Sequence, residues 1–164
     1  MGDIAIRPAT LDDGAAIALI YNQGIVDRMA TLETELRTAE ERRRFLTAHG
    51  PRHPVVVAER AGLVVGWASL NVFNARPAYD NVADLSVYVE RGWRGRGVGR
   101  LLLERLVARA VEIGYHKIVL AALARNAAGV ALYRRLGFSR VGVYREQGRL
   151  DGEWVDVLIM ERVL

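Results

Sequence analysis

The chain has 164 residues, a length that suits a single domain over residues 1–164 with one hydrophobic core. Hydrophobic residues make up 51% of the chain and charged residues 26%, which excludes an intrinsically disordered segment. The absence of cysteine excludes disulfides, thiolate nucleophiles and cysteine-ligated metals, and the formal charge of +4 suits nucleic acid, a phosphorylated ligand or only solubility.

The distribution of apolar and charged residues narrows the possible partners. The first residues lack a basic region followed by an apolar run, and eighteen consecutive apolar residues occur nowhere. Charge runs such as residues 40–44 mix both signs, which indicates a solvated helix face and not a nucleic-acid-binding patch. We therefore expect a cytoplasmic protein that binds neither nucleic acid nor membrane, and we expect no metal.

In the first half of the chain, segments whose apolar residues recur at strand spacing alternate with segments whose apolar residues recur at helix spacing. Asp12 or Asp13 is placed to cap the first helix, and Ala61 with Gly62 is a turn candidate between two β-branched runs. The elements predicted here are a strand at 4–6, helices at 12–26 and 38–47, and a hairpin of strands at 55–59 and 63–70.

In the second half, strands and helices alternate more regularly after a loop at 71–81. The longest helix, 98–113, has apolar residues at helical spacing and ends at Gly114. The other predicted elements are strands at 82–90 and 117–122, a helix at 126–136, and strands at 138–144 and 154–160. Two strand–helix–strand units predict an α/β fold in which a mixed central β-sheet is flanked by helices.

A glycine-rich turn at 91–100 joins the strand at 82–90 to the long helix. Closely spaced glycines let backbone N–H groups approach an anion, and the helix that follows offers unpaired N–H groups and the positive end of its dipole. Arg94, Arg96 and Arg100 add positive charge. The turn lacks the Gly-Lys-Ser/Thr of a P-loop and the glycine spacing of a Rossmann turn. A phosphate site of another kind is predicted, with a purely structural turn as the alternative.

The segment from Arg94 to Gly99 resembles the acetyl-CoA motif of the GCN5-related N-acetyltransferases, the GNAT superfamily: Gln or Arg, two residues, Gly, one residue, Gly or Ala. A second signature of that superfamily is matched by Asn126, by Ala131-Leu132-Tyr133 and by Leu136-Gly137-Phe138. The resemblance implies a GNAT-like single-domain fold, acetyl-CoA as the cosubstrate and an amine as the acceptor.

Nearly the whole chain is similar to one branch of that superfamily, the phosphinothricin, methionine sulfoximine and arsinothricin acetyltransferases. The similarity implies a small amino-acid-like amine as substrate, a detoxifying role, a homodimer, and direct transfer without an acetyl-enzyme. A protein N-terminal acetyltransferase and a non-catalytic acetyl-CoA sensor are the alternatives. The segments that carry the similarity are Ile6-Arg7-Pro8-Ala9, Ile20-Tyr21-Asn22, Val65-Gly66-Trp67-Ala68, Arg76-Pro77-Ala78-Tyr79, Ser86-Val87-Tyr88-Val89 and Gly152-Glu153-Trp154-Val155-Asp156-Val157.

The resemblance implies that acetyl-CoA binds to three segments. These are the strand before the turn, the turn itself and the start of the helix at 126–136. Free backbone groups of the strand would pair with the amides of the cofactor arm, and the turn would hold the pyrophosphate. A buried strand without a ligand and a plain helix cap at Asn126 are the alternatives. The predicted cofactor-binding residues are Val87, Tyr88, Val89, Arg94, Gly95, Arg96, Gly97, Val98, Gly99, Arg100 and Asn126.

Asp84 and Tyr133 are the predicted catalytic residues. An acid in a strand of an apolar sheet is unfavourable unless it is solvated or used, so Asp84 is the candidate base. Tyr133 shares a helix face with Asn126 and would reach the sulfur of acetyl-CoA. The branch usually has Glu and His at these two positions, and both changes preserve proton-transfer chemistry. A surface acid and a buried structural tyrosine are the alternatives.

The loop at 71–81 matches the substrate-binding loop of the branch. An arginine there would hold a carboxylate or phosphinate through two parallel hydrogen bonds, and a solvent-facing arginine is the alternative. Leu32 stands near a position where the phosphinothricin enzymes carry an aromatic residue, which leaves the exact substrate open. The predicted substrate-binding residues are Asn74, Ala75, Arg76, Tyr79 and Asp84.

Overall fold

The computed structural model describes residues 2–164. Seven strands form one sheet in the order β1-β2-β3-β4-β5-β7-β6, and four helices pack against it. The strands are β1 (Ala5–Pro8), β2 (Val55–Arg60), β3 (Leu63–Val72), β4 (Val82–Val89), β5 (Lys117–Leu123), β6 (Ser139–Leu150) and β7 (Glu153–Val163). The helices are α1 (Gly14–Asp27), α2 (Ala39–Ala48), α3 (Val98–Ile113) and α4 (Ala127–Arg135). The predicted α/β fold with a mixed central sheet is confirmed.

The sheet opens in its middle. All neighbouring strands are antiparallel except β4 and β5, which are parallel. This parallel pairing covers only Val82 to Asp84 against Lys117 to Val119. Because no further pairs form beyond Asp84, the second half of β4 has a free edge on the side of β5.

The core lies on both faces of the sheet. Leu102, Leu103, Leu106 and Ala110 of α3 are fully buried, and their spacing places them on one helix face toward the sheet. On the opposite face, Ile17 and Ile20 of α1 belong to a second buried cluster, which also contains Trp67 of β3. No helix within residues 2–164 is long and apolar enough to span a membrane.

The start of α1 differs from the sequence prediction. Asp13 precedes this helix, but its side chain does not cap it. Its carboxylate instead accepts two hydrogen bonds from the Arg7 guanidinium, at 2.8 and 2.9 Å, and one from the Thr10 N–H at 2.8 Å. The arginine holds the pKa of Asp13 below its ordinary value. This partly buried ion pair therefore joins β1 to the start of the helix instead of capping it.

The last hairpin is longer than the sequence predicts. The strands predicted at 138–144 and 154–160 extend to Ser139–Leu150 and Glu153–Val163, with register shifts between Arg140 and Gly142 and between Tyr144 and Gly148. Most of the added residues are polar or exposed, so no apolar alternation marks them in the sequence. Asp151 and Gly152 form the two-residue turn, with φ of 51° and 83°.

Candidate functional site

A cleft of about 820 Å³ opens where β4 and β5 separate. Its walls come from the end of β4, the glycine-rich turn with the start of α3, α4, and the second half of α1. The lining contains every predicted cofactor-binding residue except Arg96, and it also contains Tyr133. Residues that lie far apart in the sequence are thus gathered around one ligand-sized space.

The free edge of β4 directs backbone groups into this cleft. The Glu90 N–H donates to the Val65 carbonyl at 2.9 Å. This bond shows which alternate residues of β4 direct their backbone groups toward β3. Alternate residues of an antiparallel strand direct both backbone groups toward the partner strand. Tyr88 therefore pairs with β3, whereas Val87 and Val89 direct their N–H and C=O groups to the open side. The Val89 carbonyl accepts a hydrogen bond from Arg94 Nε at 3.3 Å, and the remaining groups can pair with an extended amide-containing ligand.

The glycine-rich turn shapes an anion-binding surface at the start of α3. Gly95 and Gly97 have φ of 74° and 84°, a region that residues with a side chain occupy only with strain. The first N–H groups of an α-helix have no partner within the helix, and here they lie at the cleft wall beside Val98 and Gly99. The helix dipole adds partial positive charge at the same place, which favours a phosphate group.

Two carboxylates hold the arginines at the rim of the cleft. Asp27 of α1 accepts hydrogen bonds from Arg91 at 2.7 Å and from Arg94 at 2.6 Å, and these bonds lower its pKa. Arg100 pairs with Glu104 at 2.7 Å. Sequence reasoning missed Asp27, because its partners lie 64 and 67 positions away. Its carboxylate fixes the position of Arg94 at the rim.

Arg96 lies apart from the other predicted cofactor-binding residues. Its guanidinium stands over the Trp93 ring, 5.2 Å from the ring centre. The side chain is exposed and does not line the cleft, although its neighbours Gly95 and Gly97 do. We therefore expect Arg96 to contribute less to ligand binding than Arg94.

Asn126 combines a structural contact with a place in the cleft wall. Its side-chain Oδ1 accepts a hydrogen bond from the Gly129 N–H at 3.1 Å and so caps the N-terminus of α4. A Cβ atom at Gly129 would lie 2.6 Å from Asn126 Nδ2, so the glycine leaves room for this cap. The amide Nδ2 stays available as a hydrogen-bond donor to a ligand in the cleft.

Tyr133 of α4 lines the cleft but is only 9% exposed. Its ring packs against Phe138 with 6.1 Å between the ring centres. Burial raises the pKa of the Tyr133 hydroxyl to about 12, and the charge of Asp84 acts in the same direction. The hydroxyl therefore keeps its proton at neutral pH and can serve as a proton donor.

Asp84 lies at the point where β4 and β5 part, beside the cleft and not in its lining. Burial raises the pKa of its carboxyl, and a hydrogen bond from Asn71 Nδ2 to Asp84 Oδ2, at 3.1 Å, opposes this effect. A carboxyl with a raised pKa is a stronger base than an exposed one, as proton abstraction requires. Sequence reasoning missed Asn71, which it placed in a loop.

An aromatic cluster covers the face of β4 on which Asp84 lies. The Tyr88 ring stacks on Trp67 with 4.9 Å between the ring centres and meets the edge of Tyr21 at 5.0 Å. Burial raises the pKa of the Tyr88 hydroxyl far above its ordinary value, so it stays neutral.

The predicted substrate-binding loop stands outside the cleft. None of Asn74, Ala75, Arg76 and Tyr79 lines it, and all four are exposed. Asn74 Oδ1 accepts a hydrogen bond from the Arg76 N–H at 3.0 Å, and Tyr79 packs edge-on against Phe73 at 5.4 Å. The structure thus keeps these four residues together in one loop, outside the cleft that the cofactor-binding residues line.

Residues 22–138 match the family model of the acetyltransferase (GNAT) family. The chain belongs to the GNAT family. It is an acetyltransferase of the GNAT type, as the glycine-rich turn and the Asn126 segment predict. The recognition of the family and of the enzyme class from the sequence is confirmed.

Three similar proteins show which GNAT enzymes the chain is close to. An L-methionine sulfoximine/L-methionine sulfone acetyltransferase of Pseudomonas aeruginosa is 35% identical over 96% of this chain and 92% of its own length. A phosphinothricin acetyltransferase of Sinorhizobium meliloti, solved in complex with acetyl-CoA, has a TM-score of 0.93 and 32% identity over 98% of this chain and 88% of its own. A ribosomal-protein-alanine N-acetyltransferase from Brucella melitensis has a TM-score of 0.94 and 37% identity over 98% and 99%.

Proposed function

We propose that this GNAT protein transfers the acetyl group of acetyl-CoA to the amino group of a small amino-acid-like substrate, of the phosphinothricin, methionine sulfoximine or arsinothricin type. The observation that carries the proposal is the cleft between β4 and β5, which unites a free strand edge, a helix N-terminus and a buried tyrosine. The names of the Pseudomonas and Sinorhizobium relatives support this choice of substrate.

Each part of acetyl-CoA has a matching group in the cleft wall. The N–H groups at the start of α3, with Arg94 and Arg100, suit the pyrophosphate. The free backbone groups of Val87 and the Val89 N–H suit the amides of the pantetheine arm. Asn126 can donate a further hydrogen bond to this arm. The thioester supplies the acetyl group, and the complex with acetyl-CoA in the Sinorhizobium neighbour supports this cosubstrate.

We propose direct transfer in a ternary complex, since the chain has no cysteine to form a thioester-linked acetyl-enzyme. Asp84 accepts the proton of the substrate amine, directly or through water. Tyr133 donates a proton to the departing thiolate, which has an unperturbed pKa of about 8.5. Holding the amine beside the thioester supplies much of the rate.

Acetyl-CoA should stabilise the fold against heat, whereas NAD and ATP at equal concentration should not. A ligand at a hundred times its Kd adds about 2.7 kcal/mol, which raises Tm by roughly 5 to 10 °C in a domain of this size. Differential scanning fluorimetry measures the shift. Arg94→Ala should reduce it, and Arg96→Ala should reduce it less because Arg96 lies outside the cleft lining. Equal shifts with all three ligands would contradict a specific acetyl-CoA site.

A thiol-release assay with acetyl-CoA and a panel of amines tests the proposed function. The panel contains phosphinothricin, methionine sulfoximine, arsinothricin and several peptides, one of them with an N-terminal alanine. The Brucella neighbour favours the second candidate, a protein N-terminal acetyltransferase, which would act best on the peptides. If none of the amines in the panel causes release of CoA, the result would favour a sensor that binds acetyl-CoA without catalysis.

Arg76→Ala should raise KM for an acidic amino-acid substrate by roughly 10- to 100-fold, the loss expected for hydrogen bonds to a charged group. The KM for acetyl-CoA should stay nearly unchanged, because Arg76 lies outside the cleft lining. Steady-state kinetics with the substrate and with its carboxamide, which lacks the anionic group, provide a matched control. A KM change of equal size for the carboxamide would show that Arg76 does not bind the anionic group of the substrate.

The proposed partner is thus a small-molecule amine. The homodimer implied by the family resemblance stays a prediction, as do the cytoplasmic location and the absence of a metal, of a nucleic-acid partner and of a membrane partner.

A further inference from the structure

A second cleft, of about 580 Å³, lies at the edge of the sheet where β1 ends. Its walls come from the residues that follow β1, the end of α2 with the segment before β2, the first residues of β2, and the middle of α3. It shares no lining residue with the cleft between β4 and β5. The proposed acetyl transfer therefore leaves this second cleft without an assigned ligand.

The short length of β1 explains why the second cleft forms. β1 pairs with β2 as far as Pro8 opposite Val56, and the Ala9 N–H then donates to the Val55 carbonyl at 2.9 Å. Beyond this bond the chain turns away into α1, so the edge of the sheet is left open at the start of β2. Because α2 packs on one face of the sheet and α3 on the other, both helices contribute walls to the opening.

Most of the residues that line the second cleft are apolar. Val55 and Val56 of β2 are buried, and Leu11, Leu46 and Pro54 stand around them. Leu11 is 52% exposed, so part of this apolar wall is in contact with water. A ligand with an aliphatic body would remove that surface from water, which is a favourable transfer.

Two arginines of α3 add positive charge to this apolar lining. Arg105 and Arg109 both line the cleft, and their i,i+4 spacing places them on one side of the helix with about 5 to 6 Å between their Cβ atoms. No aspartate or glutamate of residues 2–164 belongs to the lining. A guanidinium group is always protonated in a protein, so the charge depends on no titration. The second cleft therefore attracts an anion.

Arg105 is the arginine of this pair that is free to bind a ligand with its whole guanidinium. The acidic residues nearest to it on α3 are taken, because Glu104 pairs with Arg100 and Glu112 pairs with Arg109. Among residues 2–164, Arg105 thus has no carboxylate partner. Its planar group can form two parallel hydrogen bonds to a carboxylate, and Arg109 adds a second charge one helical turn away.

We propose that the second cleft is a binding site for a small aliphatic carboxylate. Arg105 and Arg109 hold the carboxylate group, and the aliphatic body lies on the apolar wall formed by Leu11, Leu46 and Val56. An inorganic anion would leave the apolar wall in water, and a neutral molecule would leave both arginines without a partner. The site requires both halves of the ligand, and it is independent of the proposed acetyl transfer.

One wall of the second cleft continues into a contact with the predicted substrate-binding loop. Pro51 and His53 line the cleft, and Arg52 between them donates from Nη2 to the Asp80 carbonyl at 2.8 Å. The Tyr115 hydroxyl donates to the Arg52 carbonyl, also at 2.8 Å, and so holds this segment in place. An occupant of the second cleft therefore touches the segment that is hydrogen-bonded to the loop, and the test has to separate the two places.

Isothermal titration calorimetry with 4-methylpentanoate tests the site. Its neutral amide and inorganic phosphate should each bind at least 10-fold more weakly, since each lacks one half of the required ligand. Arg105→Gln with Arg109→Gln should raise the Kd for 4-methylpentanoate roughly 10-fold or more, the loss expected for hydrogen bonds to a charged group. Leu11→Ser should raise it roughly threefold by removing part of the apolar wall.

Two control proteins show whether these losses come from the second cleft. Arg140→Gln with Arg145→Gln removes the same number of charges from exposed positions of β6, outside both clefts, and should keep the wild-type Kd. Arg76→Ala should also keep it, because Arg76 lies in the substrate-binding loop. Loss of binding in Arg76→Ala would place the carboxylate in that loop and overturn the proposal.

Amide chemical shifts locate the bound carboxylate. Addition of 4-methylpentanoate should shift the amide signals of residues 8–11, 46–56 and 105–109, and should leave those of residues 87–100 and 126–136 unchanged. The variants should keep the wild-type Tm, since Arg105 and Leu11 are exposed and Arg109 is partly exposed. No binding at millimolar concentration, equal binding of the amide, tighter binding of phosphate, or shifts confined to the first cleft would each overturn the proposal.

Discussion

Tyr133→Phe should lower kcat by roughly 10²- to 10⁴-fold, the range expected for the loss of one positioned acid. The thiolate that leaves acetyl-CoA gains a proton most readily from a donor held beside it. Burial raises the pKa of Tyr133 to about 12, so the hydroxyl is fully protonated across the working range of pH. The affinity for acetyl-CoA should change little, since the ring and its packing against Phe138 remain.

Stopped-flow measurement of CoA release under saturating acetyl-CoA gives kcat for this variant. Tyr115→Phe is the matched control, because it removes a hydroxyl that donates to the Arg52 carbonyl at 2.8 Å and does not line the cleft. We expect wild-type kcat from this control. If Tyr133→Phe retains nearly full activity as well, Tyr133 is a packing residue and another group or water protonates the thiolate.

Asp84→Asn should lower kcat/KM by roughly 10²-fold at neutral pH and recover partly at alkaline pH, where the free amine forms unaided. Burial raises the pKa of the Asp84 carboxyl. The base form is therefore lost as the pH falls through this raised pKa, so wild-type kcat/KM should decline on the acid side. The variant should lack that decline. A pH series of kcat/KM for both proteins measures the difference.

Stability measurements separate this effect from misfolding. Asparagine has nearly the shape of aspartate and can still accept the hydrogen bond from Asn71, and it avoids the unfavourable burial of a charge. Tm of Asp84→Asn should therefore not fall below that of the wild type. Asp12→Asn, the same change at an exposed position, should leave activity and pH profile unaltered. A wild-type profile in Asp84→Asn would mean that the base lies elsewhere.

Local patterns made much of the fold predictable from the sequence. The sequence predicts the helix at 98–113 with the bounds that the structure has, because apolar residues recur along it at helical spacing and Gly114 ends it. The glycine-rich turn and Asn126 carried the family resemblance, and both line the cleft. Each of these signals comes from residues close together in the chain, where spacing and backbone preference suffice.

The network around Asp84 could not be predicted, because it depends on the register between strands. The sequence pattern predicts a loop at Asn71, whereas β3 continues to Val72 and brings Asn71 opposite Asp84. His49 meets Asn71 across 22 positions, and no spacing rule connects the end of a helix to the end of a strand. The contact of Asp27 with Arg91 and Arg94 escaped prediction for the same reason.

The separation of β4 and β5 also affects which molecules can reach the free edge of β4. Exposed strand edges invite strands of other chains, and folded proteins commonly cover them. Here the edge lies within a cleft whose walls include α1, α3 and α4, so a neighbouring chain meets helices before it meets the edge. A thin, unbranched molecule can lie lengthwise along the gap. The helices around the gap thus protect this edge from pairing with another chain and leave it open to a small ligand.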